Sequence, residues 1–275
     1  MLREYLKSIA DAIREHLGGI TEPINAQTFA QKIADVYNCG FTDGSKAGGG
    51  QDYSQGYAQA EIDFWNTLQK NGTLTAYEYF FSGVTWNAST FKPIYDIKPS
   101  TAQYMFYGFG SAYNETIDLA DVLEKQGVIL DIGKAINLHS FSRYAHISRF
   151  PALDTRSASS LVYMFADSEV QTIDELILKD DGTQVFDSCF YQTTKLENIT
   201  VSGVFGNNVG FANCTMLSKA SIKSIISALS ETSTGKLIKF SSATVYKHFS
   251  DDGENLNSEW WGLVENKSNV DIQLV

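Results

Sequence analysis

Residues 211–222 read Phe211-Ala-Asn-Cys-Thr-Met-Leu-Ser-Lys-Ala-Ser-Ile222. After Phe211, small or apolar residues follow at intervals of three, three, three and two, as Cys214, Leu217, Ala220 and Ile222. A unit of this kind can form one short strand and a turn, but it can bury its apolar side chains only against a neighbouring unit. The stretch therefore predicts one member of a stacked repeat.

Four further phenylalanines lead similar stretches upstream. Phe190 and Phe141 repeat the intervals unchanged, Phe165 fits with two inserted residues, and Phe106 fits with a longer insertion. Phe81 starts an incomplete first copy. The last four anchors are 24, 25 and 21 residues apart, a period typical of leucine-rich repeats. The predicted core anchors are Phe106, Phe141, Phe165, Phe190 and Phe211.

The predicted fold class is α+β, with short N-terminal helices followed by an irregular leucine-rich-repeat β-solenoid over 76–275. The phenylalanines that line its core would account for the aromatic content of 13%. An open end of such a stack exposes a sheet edge, which needs a cover. We expect a C-terminal cap from about residue 217, with a helix over 221–229 and strands over 237–240 and 271–275.

The first 75 residues have a different spacing of apolar and small residues. Apolar spacings of three and four predict two helices within 1–39, which form a hairpin too small to be stable alone and therefore suited to attachment. Residues 40–75 have two interpretations: a glycine linker, favoured over 44–52, and a helix that packs on identical helices, favoured over 53–70. The candidate oligomerisation residues are small: Gly40, Gly44, Gly48, Gly56 and Ala60.

Charge and composition exclude several function classes. The 275 residues carry a formal net charge of −11, which argues against binding to nucleic acid or to an anionic membrane surface. No apolar run has the length of a signal peptide or a membrane span. Three cysteines make no disulfide framework. We expect synthesis in a cytoplasm, without an export signal.

Residue patterns that carry chemistry are missing or incomplete. Gly108-Phe-Gly110 lacks the third glycine of a dinucleotide fingerprint. His139 and His146 lack further ligands for a metal, and Asp118 and Asp121 could suggest glycoside hydrolysis but lack any sign of a cleft. We predict no enzymatic activity, no cofactor and no metal.

Two other patterns have ordinary interpretations. Cys189 and Cys214, one repeat apart, are expected to be buried thiols rather than a disulfide. The acidic stretches 180–182 and 251–254 are expected to be exposed turns rather than calcium loops.

The remaining candidates for a binding surface are the tyrosines near the anchor phenylalanines: Tyr104, Tyr107, Tyr113, Tyr144, Tyr163 and Tyr191. A tyrosine offers a rigid amphipathic face to sugars or proteins. Alternatively, these side chains simply cover the edges of the stack. No single residue is assigned to a ligand at this stage.

The segment 211–222 resembles the BspA-type leucine-rich repeat, with its Phe-x-x-Cys-x-x-Leu-x-x-Ile unit. The opening 8–24 is similar to the N-terminal helical module of bacteriophage and prophage tail and fibre proteins, and 217–229 with Trp260 and Trp261 resembles their C-terminal caps.

These resemblances imply a virion structural protein: a tail, baseplate or head-fibre appendage. Its N-terminal helices would bind other virion proteins, and its repeats would bind a glycan or protein of the host surface. A homo-oligomer, a trimer by analogy, is expected. The alternatives are a bacterial leucine-rich-repeat adhesin, which needs an export signal, and a polysaccharide depolymerase, which needs a groove with two close carboxylates.

Overall fold

A computed structural model describes residue 81 and residues 96–111, 116–231 and 234–275. Apart from residues 126–128, they belong to one compact unit formed by Thr75–Ala88, Asp96–Lys125 and Ile129–Val275. The helical hairpin predicted over 1–39, the oligomerisation segment 40–75 with its small residues, and Tyr113 lie outside the described residues.

The described chain is a mixture of short strands and short helices. The strands are β1 (Ile117–Asp118), β2 (Ile147–Phe150), β3 (Leu153–Asp154), β4 (Thr172–Ile177), β5 (Asn198–Ser202), β6 (Val209–Phe211), β7 (Lys236–Phe240) and β8 (Val270–Leu274). The α-helices are α1 (Leu119–Gln126), α2 (Lys219–Ser227), α3 (Ser242–Phe249) and α4 (Ser258–Val264), and a 3-10 turn follows at Glu265–Lys267.

Every pair of strands within the two sheets is parallel. In the first sheet β2 lies between β1 and β4, and β4 pairs with both β3 and β5. Phe150 is in register with Ile173, and Ile173 with Ile199. All three side chains are buried, so the inward positions of successive strands form one apolar column.

A second ladder of backbone hydrogen bonds joins the turns that precede these strands. The N–H of Phe106 donates to Phe141 O (2.7 Å), that of Ser142 to Met164 O (2.9 Å) and that of Phe165 to Cys189 O (2.9 Å). In each case the acceptor directly precedes the next equivalent residue. The equivalent positions are therefore Phe106, Ser142, Phe165 and Phe190.

This register corrects one predicted anchor. Phe141 lies one residue before the anchor position, which Ser142 occupies, although Phe141 is itself fully buried. The rings of Phe141 and Phe150 both pack on Phe106, with centroids 5.3 Å and 6.3 Å away, and Phe150 reaches Phe165 at 5.7 Å. The buried hydroxyl of Ser142 donates to Met164 O (3.0 Å).

Aromatic rings run through the core in an unbroken series of contacts. Phe165 stacks on Phe190 with centroids 5.6 Å apart, and Phe190 stacks on Phe211 at 4.6 Å. Phe81 stacks on Phe106 at 5.2 Å and donates its N–H to Met105 O, which places it at the anchor position of an earlier unit. Such pairs contribute about 0.5–1.5 kcal/mol each beyond their burial.

Two glycines let consecutive turns approach at backbone distance. A Cβ built on Gly206 would lie 2.2 Å from Gly182 O and 2.6 Å from Gly182 Cα. A side chain at residue 206 would therefore push the two turns apart. Gly203 is equally close to the carbonyl of Leu178, and its φ of +81° favours glycine in any case.

Helix α2 covers the edge of β5. The N–H groups of Ile199 and Val201 donate to Ser221 Oγ (2.9 Å) and Ser224 Oγ (2.8 Å) instead of to another strand. Hydroxyl groups of a serine-rich helix thus take the place of strand carbonyls. The helix predicted over 221–229 is confirmed, two residues earlier than expected.

The remaining cap is the second sheet, β6–β7–β8, with α3 and α4. The strands predicted over 237–240 and 271–275 are confirmed as β7 and β8. Helices α3 and α4 were not predicted. The buried ammonium of Lys267 donates to Leu229 O (2.8 Å), just beyond the C-terminus of α2, where a cation is favourable.

Candidate functional site

An edge of the repeat unit carries a row of aromatic side chains that we call the aromatic ridge: Tyr104, Tyr107, His139, Tyr144 and Tyr163. The ring of Tyr107 lies between those of Tyr104 (5.5 Å) and Tyr144 (5.3 Å). The ring of His139 lies between Tyr104 (5.4 Å) and Tyr163 (5.9 Å). The ridge therefore crosses three consecutive repeat units.

The backbone explains why these side chains share one edge. In four consecutive turns, a left-handed residue lies two positions before the anchor and another lies two positions after it. These pairs are Tyr104 and Gly108, Ser140 and Tyr144, Tyr163 and Asp167, and Ser188 and Gln192. They include all seven non-glycine residues with positive φ in the described part of the chain. Such a conformation costs about 1–3 kcal/mol unless the surroundings hold it.

Hydrogen bonds between consecutive turns hold these residues in place. The N–H of Tyr163 donates to Asp187 O (3.1 Å), that of Tyr144 to Ala166 O (3.1 Å) and that of Tyr104 to His139 O (3.0 Å). Every left-handed residue of one unit is thereby aligned with its equivalent in the next. The stack presents the ridge side chains on a rigid backbone.

Arg143 contacts two of the ridge tyrosines, Tyr144 and Tyr163. Its guanidinium carbon lies 4.6 Å from the ring centroids of both Tyr144 and Tyr163. Its Nη2 donates to the Tyr144 hydroxyl (2.8 Å) and its Nε to Asp167 Oδ2 (3.1 Å). Burial is the largest single effect and disfavours the charge, but the hydrogen bond to Asp167 and the charge interactions with Tyr144, Asp167 and Tyr107 together outweigh it and raise the pKa of Arg143. The cation is therefore permanent and fixes both tyrosine rings.

The ridge is partly open to solvent. Tyr144 is 40% exposed, whereas Tyr104, Tyr107, His139 and Tyr163 are half-buried. Rings that are immobilised along one edge and exposed on the other can stack on a flat apolar face of a ligand without losing much side-chain entropy.

A pocket of about 210 Å³ lies beyond the ridge, between the fourth repeat unit and the cap sheet. Its apolar lining comes from Phe186, Val209 and Leu237, and its polar lining from Asp187, Ser188, Asn208 and Lys239, with Gly210 completing it. Asn208 is fixed because its Oδ1 accepts the N–H of Leu237 (2.9 Å).

Several residues singled out in the sequence have structural roles. Cys189 and Cys214 are buried free thiols, as expected, and burial raises the pKa of both well above the ordinary value. Asp118 Oδ1 accepts the N–H of Asp121 at the start of α1, and Asp121 pairs with Lys125. Neither carboxylate is placed as an acid or base.

The histidines and acidic stretches gather no metal-binding cluster within the described ranges. His139 belongs to the ridge. Asp181 accepts the N–H of Thr183, and Asp252 accepts hydrogen bonds from Asn255, Glu254 and Ser250 that lower its pKa. The carboxylates of 180–182 and 251–254 thus close exposed turns on themselves, as the sequence predicts.

No family model, curated protein or solved structure matches this chain. None of the helices in the described part of the chain has the length and apolar character needed to span a lipid bilayer.

Sequence analysis identified the ridge tyrosines but missed His139 and Arg143 as their partners. The spacing between units could have revealed them. Residues 140 and 144 lie 23 positions before residues 163 and 167, so His139 and Arg143 belong to the turn that aligns with the turn of Tyr163.

Proposed function

We propose that this protein is a non-enzymatic binding protein that displays the aromatic ridge to a glycan or protein on a cell surface. The observation that carries the proposal is the ridge itself: five aromatic side chains from three units on one edge of the stack, two of which, Tyr144 and Tyr163, are held by Arg143. Surface tyrosines can cover a core without a guanidinium between their rings, whereas here a carboxylate holds a guanidinium against two of them.

The fold we propose for the described unit is a leucine-rich-repeat solenoid of the BspA type. Its support is the combination of parallel strands in register from unit to unit, the second ladder through the turns, and the aromatic series in the core. A stack of this kind is suited to display because equivalent positions recur at each step and build an extended surface.

We further propose that the chain is a phage virion appendage, made in the host cytoplasm. This placement rests on the resemblance of the N-terminal helical module and of the C-terminal cap. Residues 1–39 attach to other virion proteins, residues 40–75 join identical subunits, and several copies on one particle multiply weak contacts into strong attachment. Sedimentation of the full-length protein tests the oligomer, and a monomer contradicts it.

Binding of the full-length protein to intact bacterial cells, and to an array of surface glycans, tests the ridge. Tyr144→Ala removes an exposed ring, and the matched control is Trp261→Ala, which removes another aromatic ring, 59% exposed, from α4. One stacked ring contributes about 0.5–1.5 kcal/mol, so Tyr144→Ala is expected to weaken binding by about twofold to tenfold. Equal binding by Tyr144→Ala and the control contradicts the proposal.

A further inference from the structure

The pocket beyond the ridge contains two opposite charges that do not neutralise each other. Asp187 and Lys239 both line it, yet neither side chain has a hydrogen bond or ion pair with another residue in the described part of the chain. By contrast, Arg149 and Asp174 on neighbouring strands form an ion pair (2.8 Å). The free pair therefore leaves an acceptor and a donor directed at a common space.

The rest of the lining defines the size and polarity of that space. Phe186, Val209 and Leu237 provide an apolar floor, and Gly210 has no neighbour within 4 Å of where a Cβ would lie. Gly210 and Lys239 are paired in register on β6 and β7, so the missing side chain at residue 210 opens the space beside the ammonium.

The pocket continues the line of the ridge. The N–H of Tyr163 donates directly to Asp187 O (3.1 Å), and Ser188 takes in the fourth unit the left-handed position that Tyr163 takes in the third. A chain-like ligand lying along the rings therefore reaches the pocket at the next step of the stack.

We infer that this pocket binds the terminal residue of a neutral glycan, an uncharged hexose, while the preceding sugars stack on the ridge. Each sugar hydroxyl both donates and accepts a hydrogen bond. A pair of neighbouring hydroxyls thus satisfies the Asp187 carboxylate and the Lys239 ammonium together, and the apolar face of the ring lies on the floor. The inference rests on the proposed function and names its ligand class.

The test measures binding of the full-length protein to linear neutral tetrasaccharides of glucose, mannose and galactose by calorimetry. Gly210→Leu fills the pocket from an outward position, and Asp187→Asn removes the charged acceptor. The matched control is Gln273→Leu, which adds an apolar side chain on β8, next to Lys239 in register but outside the pocket. Both pocket variants are expected to bind at least one tetrasaccharide ten or more times more weakly than the control.

The outcomes separate the pocket from the ridge. If the pocket variants bind like the control while Tyr144→Ala loses binding, the terminal subsite is wrong and the ridge function stands. If Tyr144→Ala also keeps full binding, both proposals fail. Tighter binding of a zwitterionic probe such as phosphocholine, or no binding of any neutral tetrasaccharide, overturns the assignment of an uncharged sugar.

Discussion

Replacing Gly206 with alanine tests the close stacking of consecutive turns. The new Cβ would lie 2.2 Å from Gly182 O, whereas ordinary van der Waals contact begins at 3.4 Å. The obstructing atoms are backbone, so relief requires the two turns to separate by about 1 Å. Since the φ of Gly206 is not in the left-handed region, the effect isolates this contact from backbone strain.

The magnitude follows from the contacts that such a separation would weaken. Val204 N–H donates to Lys179 O (3.1 Å), Asn207 Nδ2 donates to Gly182 O (3.3 Å), and the rings of Phe186 and Phe205 lie 4.9 Å apart. Two weakened hydrogen bonds at about 1 kcal/mol each, with overpacking of about 1–3 kcal/mol, lower the free energy of unfolding by about 3–5 kcal/mol.

The assay is urea unfolding of the full-length protein followed by circular dichroism, with Gly210→Ala as the control. Both substitutions restrict the unfolded chain alike, but a Cβ on Gly210 meets nothing within 4 Å. The control is expected to stay within about 0.5 kcal/mol of the unsubstituted protein. If Gly206→Ala is as stable as Gly210→Ala, the close approach of the turns, and with it the proposed solenoid, is refuted.

Two further predictions concern titratable groups. Burial raises the pKa of Cys189 and Cys214. In a Cys39→Ser background, neither thiol is therefore expected to react with a disulfide reagent at pH 8 until urea unfolds the protein. Rapid labelling of the native state would contradict their burial. Hydrogen bonds from Lys219 and Lys223 lower the pKa of Glu259. The stability that these ion pairs give to the folded protein is therefore fully present above the unfolded-state pKa of about 4.3. It is lost as the pH falls through the pKa of Glu259 in the folded state. Glu259→Gln is therefore expected to lower the Tm slightly at pH 7 and not in strong acid, and a difference independent of pH would contradict the ion pair.

Part of the core and part of the cap could be predicted from local spacing because apolar positions report directly on burial. Most template positions after Phe190 and Phe211 are buried, although Ala220 is exposed, and apolar residues recur over the strands at 237–240 and 271–275. Serines at 221 and 224 are compatible with a helix, but nothing local indicates that they accept hydrogen bonds from the edge of β5.

The offset of Phe141 and the composition of the site could not be predicted because both depend on contacts between distant residues. A phenylalanine at 141 satisfies the template, and only the backbone hydrogen bonds between consecutive turns show that Ser142 holds the equivalent place. Seven of the eight paired left-handed positions are filled by tyrosine, serine, aspartate or glutamine, and only Gly108 is a glycine, so the usual signal of such turns is nearly missing. The pocket joins residues from 186 to 239, which no spacing rule connects.

The paired left-handed positions have an evolutionary consequence. Tyr104, Ser140, Tyr163 and Ser188 differ in size and chemistry, yet they adopt φ values between 52° and 55° at corresponding places in the turns. Backbone geometry at these places is thus independent of which side chain is attached. Natural variation can therefore change the side chains at these places by point substitution, unit by unit, while the backbone underneath stays constant.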